Sequence, residues 1–270
     1  MKGKEQLFAI FGNPLDHSLS PLMHNAVFKK MNIPARYVPL RVESALNAVV
    51  KIKSMKIAGG SVTIPHKTAI MAHCDDVSAN ADTIGAVNTV TFTKGRVKGD
   101  NTDWIGVILA LKETMEITGK TFAILGAGGA ARAAVFGIRK ENGNVLVVNR
   151  TASKGEELAE EFGCSAHPLG HLGTIRADCL INCTPVGMYP YIGRSPVRKE
   201  VLLNFRWVMD VIYNPLKTKL LRDAEDAGCA IIPGLPMFVH QGAEQIALWT
   251  DLQPSRDFMK TIVREKLTNA

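Results

Sequence analysis

What this chain lacks excludes several kinds of protein. No apolar run approaches the ~20 residues of a membrane-spanning helix, so no membrane partner is expected. Its 5 cysteines (Cys74, Cys164, Cys179, Cys183 and Cys229) are scattered and form no C-x-x-C pair. That argues against a disulfide framework or a zinc site and for a reducing, cytoplasmic setting. The 7 histidines are scattered too; His167 and His171 have helix-like spacing but no cysteine or carboxylate cluster beside them, so no metal is expected. Aromatics make up only 6% and are not interleaved with basic residues, as a nucleic-acid groove requires. The formal charge of +7 is spread along the chain, and Lys51, Lys53 and Lys56 read as one solvated helix face. A modest positive field of this kind suits the steering of small anions, and no nucleic-acid partner is expected. Met1-Lys2-Gly3-Lys4-Glu5 shows no signal-peptide pattern and leads almost directly into a strand.

A chain of 270 residues, 46% hydrophobic and 21% charged, is long enough for two domains with separate cores. Its organising feature is Gly126-Ala127-Gly128-Gly129-Ala130-Ala131. An apolar, β-prone stretch (Thr121–Leu125) precedes it, an Ala-rich helical stretch (Ala130–Arg139) follows, and a second apolar run (Val145–Val148) closes a βαβ unit. In that setting the glycine pattern signifies dinucleotide binding. Gly126 permits the tight turn, Gly128 admits the pyrophosphate to the backbone, and Ala131 keeps the helix close to the sheet. The helix N-terminus offers unpaired N–H groups and the positive end of its dipole to phosphates.

NAD sites of this type place an acid at the end of the second strand, where it accepts from the ribose 2′-OH. Here that strand ends Val148-Asn149-Arg150-Thr151, without an acid. The planar cation of Arg150 suits a 2′-phosphate and can stack on adenine, or simply sits solvated at a helix start; Lys154 adds charge, and Asn149 and Thr151 supply hydrogen bonds. The expected cofactor is NADP(H).

The residues before this unit alternate strand and helix: strands at Leu7–Phe11, Tyr37–Val42 and Ile57–Ile64, helices at Pro21–Met31 and Ser44–Ser54, and short helices around His66–His73 and Ser78–Ile84. Thr89–Thr93 and Arg96–Lys98 flank Lys94-Gly95 as a hairpin. A helix over Asp103–Thr114 bridges into the nucleotide lobe. That lobe continues with strands at Cys179–Asn182, Trp207–Val211 and Ala230–Ile232 and helices at Ser153–Phe162 and Thr218–Ala227, while Pro185–Pro196 reads as a flexible loop. Helices at Met237–Thr250 and Ser255–Leu267 come last. The expected fold is a two-lobed α/β protein: an N-terminal α/β substrate domain (1–102, with 237–270 returning to it) on a mixed, mostly parallel sheet, and a Rossmann-type NADP-binding domain (103–236).

Three polar clusters of the first lobe carry candidate chemistry. In Gly12–Pro21, Ser18 and Ser20 can jointly hold a carboxylate beside a helix start, or one of them can cap that helix. In Ser61-Val62-Thr63-Ile64-Pro65-His66-Lys67, a lysine just past a strand end can protonate an alkoxide as hydride reaches a carbonyl carbon, or simply sit on the surface. In Gly99–Trp104, Asp103 can cap a helix or pair with Lys67 and receive a substrate hydroxyl.

Taken in order, these segments resemble the shikimate dehydrogenase family over nearly the whole chain. The motifs are the S-x-S of Ser18 and Ser20, V-T-I-P-H-K at 62–67, Gly85-Ala86-Val87-Asn88-Thr89, Asp100-Asn101-Thr102-Asp103, the glycine-rich loop, Asn149-Arg150-Thr151, Tyr213, Gly234 and Gln241-Gly242-Ala243. The resemblance implies reversible reduction of 3-dehydroshikimate to shikimate by NADPH, on the way to aromatic amino acids. It implies that Lys67 is the acid/base with Asp103 as partner, and that Ser18 and Ser20 bind the substrate carboxylate. Thr63, Asn88, Asp103 and Gln241 would hold ring hydroxyls, with Tyr213 nearby. Gly126, Ala127, Gly128, Gly129, Ala130, residues 149–154, Val211 and Gly234 would line the NADP site. Ser61 stands where asparagine is usual, an expected rerouting of one substrate contact, and Pro236 and His240 replace the more usual glycine and tyrosine. The alternatives are a quinate/shikimate dehydrogenase that accepts NAD and a non-catalytic NADP-binding relative. The expected partner is a small-molecule substrate, and the expected state is monomer or homodimer.

Overall fold

The computed structural model describes residues 5–269; the Met1–Lys4 stretch, part of the segment read for a leader, lies outside the described residues. The chain divides into two compact units, Met1–Thr102 with Gln241–Ala270, and Asp103–His240.

In the first unit the elements run β1 (Gln6–Gly12), α1 (Ser20–Lys30), β2 (Ala35–Arg41), α2 (Ala45–Met55), β3 (Gly59–Val62), a 3₁₀ turn (Ala69–His73), β4 (Asp76–Val77), α3 (Ala79–Ile84), β5 (Thr89–Thr93) and β6 (Arg96–Asp100). The sheet order is β2-β1-β3-β5-β6-β4. β1 pairs in parallel with β2 and β3, and β4 with β6, while β5 lies antiparallel to β3 and β6. Helix propensity and caps fix the helices: Ser44 accepts from the Asn47 N–H to start α2, and Ser78 accepts from Ala81 to start α3. Ala45, Ala48, Val49 and Ile52 form one face of α2 and pack with Ala9, Phe11, Val62 and Val90 from the strands. An aromatic cluster of Phe8, Phe28, Tyr37 and Trp249 adds a second core, with the Phe8 and Trp249 rings 5.0 Å apart.

The second unit runs α4 (Asp103–Lys112), β7 (Thr121–Leu125), α5 (Gly129–Lys140), β8 (Asn144–Asn149), α6 (Ala152–Phe162), β9 (Ser165–Pro168), β10 (Cys179–Asn182), β11 (Trp207–Asp210), α7 (Lys219–Asp226) and β12 (Ala230–Ile232). α8 (Gly234–Thr250) follows, and its part from Gln241 onward belongs with the first unit, as does α9 (Arg256–Thr268). All strand pairs here are parallel, in the order β12-β11-β10-β7-β8-β9. This is the doubly wound dinucleotide-binding order, with its switch point between β7 and β10. Successive residues face opposite layers: Phe122 and Ile124 join one core with α4 and α5, while Ala123 and Leu125 join another with α7. Burial on both faces explains why these strands read as continuous apolar runs.

Several boundaries differ from the sequence reading. β9 goes unread there because it is a polar edge strand paired on one side only. It carries His167, opposite Val148, so His167 and His171 do not share a helix. α8 begins at Gly234, a turn before Met237, because Pro236 falls in the first turn, where a missing N–H costs nothing. Among the described residues no helix is long and apolar enough to cross a membrane.

Candidate functional site

In the first unit the polar residues gather at the carboxyl ends of β1 and β3 and at the turns beyond them. α1 starts at Ser20, and the position before it is Leu19, which offers no side-chain cap. Neither serine therefore occupies the cap position; the Ser18 Oγ accepts only a long bond, 3.4 Å, from the Ser20 N–H. Ser20 is buried, and its carbonyl is 2.8 Å from His24 Nδ1. His24 is fully buried, stacked on Tyr37 at 4.3 Å between centroids, and its Nε2 has no hydrogen-bond partner among the described residues. Burial lowers its pKa to about 4, with the hydrogen bond to the Ser20 carbonyl opposing, so the imidazole is neutral.

The turn that carries Thr63 and Lys67 is pinned from three sides. The Thr63 N–H donates to Phe11 O at 2.9 Å, the His66 N–H to Thr63 O at 2.9 Å, and the Val87 N–H to Lys67 O at 2.8 Å. His66 is buried with its Nε2 3.0 Å from Val42 O. Lys67 itself is half-buried. Asn88, 2% exposed, is the centre of the cluster. Its Oδ1 accepts from the Thr102 N–H and the Thr89 hydroxyl, both at 2.7 Å, and its Nδ2 donates to Thr102 Oγ1 at 3.0 Å and Gln241 Oε1 at 3.4 Å. Residues 153 positions apart in sequence thus share one hydrogen bond. The Ser61 hydroxyl lies between Tyr37 Oη (2.6 Å) and Gln245 Oε1 (2.7 Å), and the residue is buried. The Tyr37, Ser61, Gln245 and His24 framework gave no sequence signal beyond polar residues within apolar surroundings.

The second unit supplies the nucleotide features. Asp103 is buried at the first residue of α4. Gly126 sits between β7 and α5 at φ +110°, which an L side chain rarely adopts. Gly128 occupies the position before α5, has no side-chain cap, and a Cβ there would meet nothing within 4 Å. Gly129 and Ala130 begin the helix, and Ala131 is fully buried against the sheet. Arg150 and Lys154 are exposed at the end of β8 and the first turn of α6; the Asn149 Nδ2 donates to Thr151 O at 2.8 Å, and Thr151 precedes α6 without a side-chain cap bond. Open space at Gly128, uncapped N–H groups and exposed cations fit a dinucleotide with an additional phosphate. Gly234 admits no side chain, since a Cβ would lie 2.4 Å from Ile212 O and 2.6 Å from Val211 O; the two positions are therefore neighbours. Tyr213 stacks on Phe238 with centroids 4.0 Å apart, and His240 Nε2 lies 2.7 Å from Glu113 Oε1. Pro236 is buried in the first turn of α8.

Asp210, at the end of β11, was not singled out by the sequence. It is fully buried and accepts from the Thr218 hydroxyl (2.7 Å), the Ile212 N–H (3.1 Å) and the Asn182 amide (3.1 Å). Thr218 in turn caps α7 through the Leu221 N–H, and Asn182 Oδ1 holds the Thr184 N–H and hydroxyl. Burial pushes Asp210 up to about 7 against those three donors. An acid closing an otherwise apolar strand, Trp-Val-Met-Asp, is the signal that could have found it. Among the described residues no group of three or more His, Cys, Asp or Glu could hold a metal ion.

A parallel sheet wound in dinucleotide-binding order, joined to a mixed-sheet unit with a buried amide and hydroxyl cluster, defines a two-domain α/β protein of the nucleotide-dependent dehydrogenase class. Comparison with known proteins is more specific. Residues 10–90 match the shikimate dehydrogenase substrate binding domain, 108–198 the shikimate/quinate 5-dehydrogenase model, and 234–264 the shikimate 5′-dehydrogenase C-terminal domain. The chain is 40% identical over 267 residues to the shikimate dehydrogenase (NADP+) of Pyrococcus abyssi, covering 97% of this chain and 98% of that one. A solved shikimate dehydrogenase in complex with NADP+ superposes with a TM-score of 0.89 at 38% identity, over 97% of this chain and 96% of that one. The Thermus thermophilus enzyme in complex with NADP(H) and shikimate gives 0.87 at 37% identity, over 96% and 99%. The chain belongs to the shikimate dehydrogenase family.

Proposed function

We propose that this protein catalyses the reversible, NADPH-dependent reduction of 3-dehydroshikimate to shikimate in aromatic amino-acid biosynthesis. The observation that carries the reading is the Asn88–Gln241 hydrogen bond, which gathers the strand after V-T-I-P-H-K and the first-unit end of α8 into one polar cluster.

Ser18 and Ser20 hold the substrate carboxylate by their hydroxyls. Thr63, Asn88, Asp103 and Gln241 take the ring hydroxyls, with Tyr213 beside them. Lys67 donates its ammonium proton to the carbonyl oxygen during reduction and recovers it from the alcohol in the reverse direction. Asp103 orients that ammonium and accepts a ring hydroxyl. When bound, NADPH supplies the hydride; Gly126, Ala127, Gly128, Gly129 and Ala130 hold its pyrophosphate. Asn149, Arg150, Thr151 and Lys154 take its 2′-phosphate end, and Val211 and Gly234 line the remainder. Binding and position are the protein's contribution beyond the proton. The protein acts as a monomer or homodimer in the cytoplasm, with no nucleic-acid partner.

The test is Lys67→Ala. Turnover with shikimate and NADP+, followed at the nicotinamide absorbance, falls by roughly 10²–10⁴-fold while KM for shikimate stays within a few fold. Near-normal turnover in that variant removes Lys67 as the acid/base.

A further inference from the structure

A continuous chain of buried hydrogen bonds within the first unit runs from Tyr37 to Gln241, and two backbone groups fix its direction. Gln245, fully buried on α8, points one end of its amide at Asn88 O (3.3 Å) and Thr89 Oγ1 (3.1 Å). A backbone carbonyl can only accept, so that end is the NH₂ group and Oε1 is turned to Ser61, at 2.7 Å. Ser61 spends its single proton on Gln245 and must accept from Tyr37 Oη, at 2.6 Å. Thr89, already accepting from Gln245, spends its proton on Asn88 Oδ1 at 2.7 Å. The Thr102 N–H, which can only donate, reaches the same Oδ1 at 2.7 Å. Asn88 therefore presents NH₂ to Gln241 Oε1, which turns the NH₂ of Gln241 away from Asn88.

We propose that Gln245, locked by Ser61, is a positioning residue for substrate recognition: through Thr89 it reinforces the orientation that the Thr102 N–H gives the Asn88–Gln241 amide pair, so that Gln241 meets a substrate ring oxygen as a donor. This rests on the reading of Asn88 and Gln241 as substrate contacts. The physical basis is that a terminal amide can rotate by half a turn at little cost in shape. Only its neighbours decide which atom is donor, and in a buried site a wrong choice leaves polar groups unpaired. His24 extends the same framework, stacking on Tyr37 and bonding to the backbone of Ser20.

The experiment measures KM for shikimate, KM for NADP+, kcat and Tm in Gln245→Met, Ser61→Ala and the double variant, beside Gln241→Ala and Asn88→Ala. Gln245→Met raises KM for shikimate about tenfold, with kcat within threefold and KM for NADP+ within twofold. Ser61→Ala raises it about threefold, and the double variant is no worse than Gln245→Met alone, because Ser61 acts through Gln245. A Gln245→Met enzyme with unchanged KM for shikimate, while Gln241→Ala raises it, overturns the proposal and leaves the substrate contacts standing. Unchanged KM in Gln241→Ala and Asn88→Ala overturns both. A loss spread equally over both substrates, accompanied by a lower Tm, assigns Gln245 to stability alone and also overturns the proposal.

Discussion

The two units bury polarity in opposite ways. The first confines it to neutral groups, the hydroxyls of Tyr37, Ser61 and Thr89, the amides of Asn88 and Gln245, and a His24 held uncharged at about 4. The second buries an acid, Asp210, and surrounds it with three donors. Neutral groups bonded to one another cost little to desolvate, so a chain of them can extend under a site and transmit orientation. A carboxyl group is costly to bury in its charged form, and Asp210 is buried where several loops share one acceptor. Asp210 ties the ends of β10 and β11 to the start of α7, where the nucleotide unit has loops rather than regular hydrogen bonding. One unit carries a neutral network; the other ties its loops to a single acid.

The largest expected effect on stability comes from removing the acceptor. Asp210→Ala strands the Thr218 hydroxyl, the Ile212 N–H and the Asn182 amide in the interior, a cost of about 3 kcal/mol or more by denaturant unfolding at pH 8, where the wild-type group is ionised. A loss below about 1 kcal/mol would mean that the loops close over without it, and the contrast between the units would weaken.

A second expectation follows from the opposite shifts of the two buried groups. His24 falls from 6.5 to about 4, so the unfolded chain binds the extra proton in that window, and the first unit loses stability as pH drops from 6.5 towards 4. Asp210 rises from 3.8 to about 7, so the folded chain holds the extra proton, and the second unit loses stability as pH climbs from 4 to 7. Between pH 5 and 8 the two amount to about 2 and about 3 kcal/mol, in opposite directions. Amide exchange, corrected for intrinsic rates, checks this: β1 and α1 are better protected at pH 8, β10 and β11 at pH 5. Asp210→Asn flattens the second trend and leaves the first. Parallel trends in the two units would break the comparison.

The smallest effect sharpens the role of the exposed cations. Arg150→Asp raises KM for NADPH roughly tenfold, about 1.4 kcal/mol, and far more than KM for NADH. Equal changes for both cofactors would take Arg150 out of 2′-phosphate recognition.

Much of the fold was legible because local rules and the tertiary outcome agree. Strand, glycine turn and Ala-rich helix stand in sequence order at 121–140, and burial on both faces writes β7, β10 and β11 as apolar runs. Ser44 and Ser78 mark helix starts by their own hydroxyls. β9 was not legible, because an edge strand needs pairing on one side only and Ser-Ala-His-Pro carries no periodic signal. The start of α8 at Gly234 is not legible because Pro236 reads as a break although it lies in the first turn, and the need for glycine at 234 comes from the distant backbone of Val211 and Ile212.

The sequence by itself determined the class of the molecule, its order of elements and the residue types available for chemistry, since periodicity, turn residues and motif spacing are local properties. Tertiary structure alone decided which polar atoms share a proton. Ser61 is a buried link, and the places of Gln245 and Asp210 are set by partners 184 and 28 positions away for one bond each. A hydrogen bond depends on distance and direction in space, and neither is written in the spacing of residues along the chain.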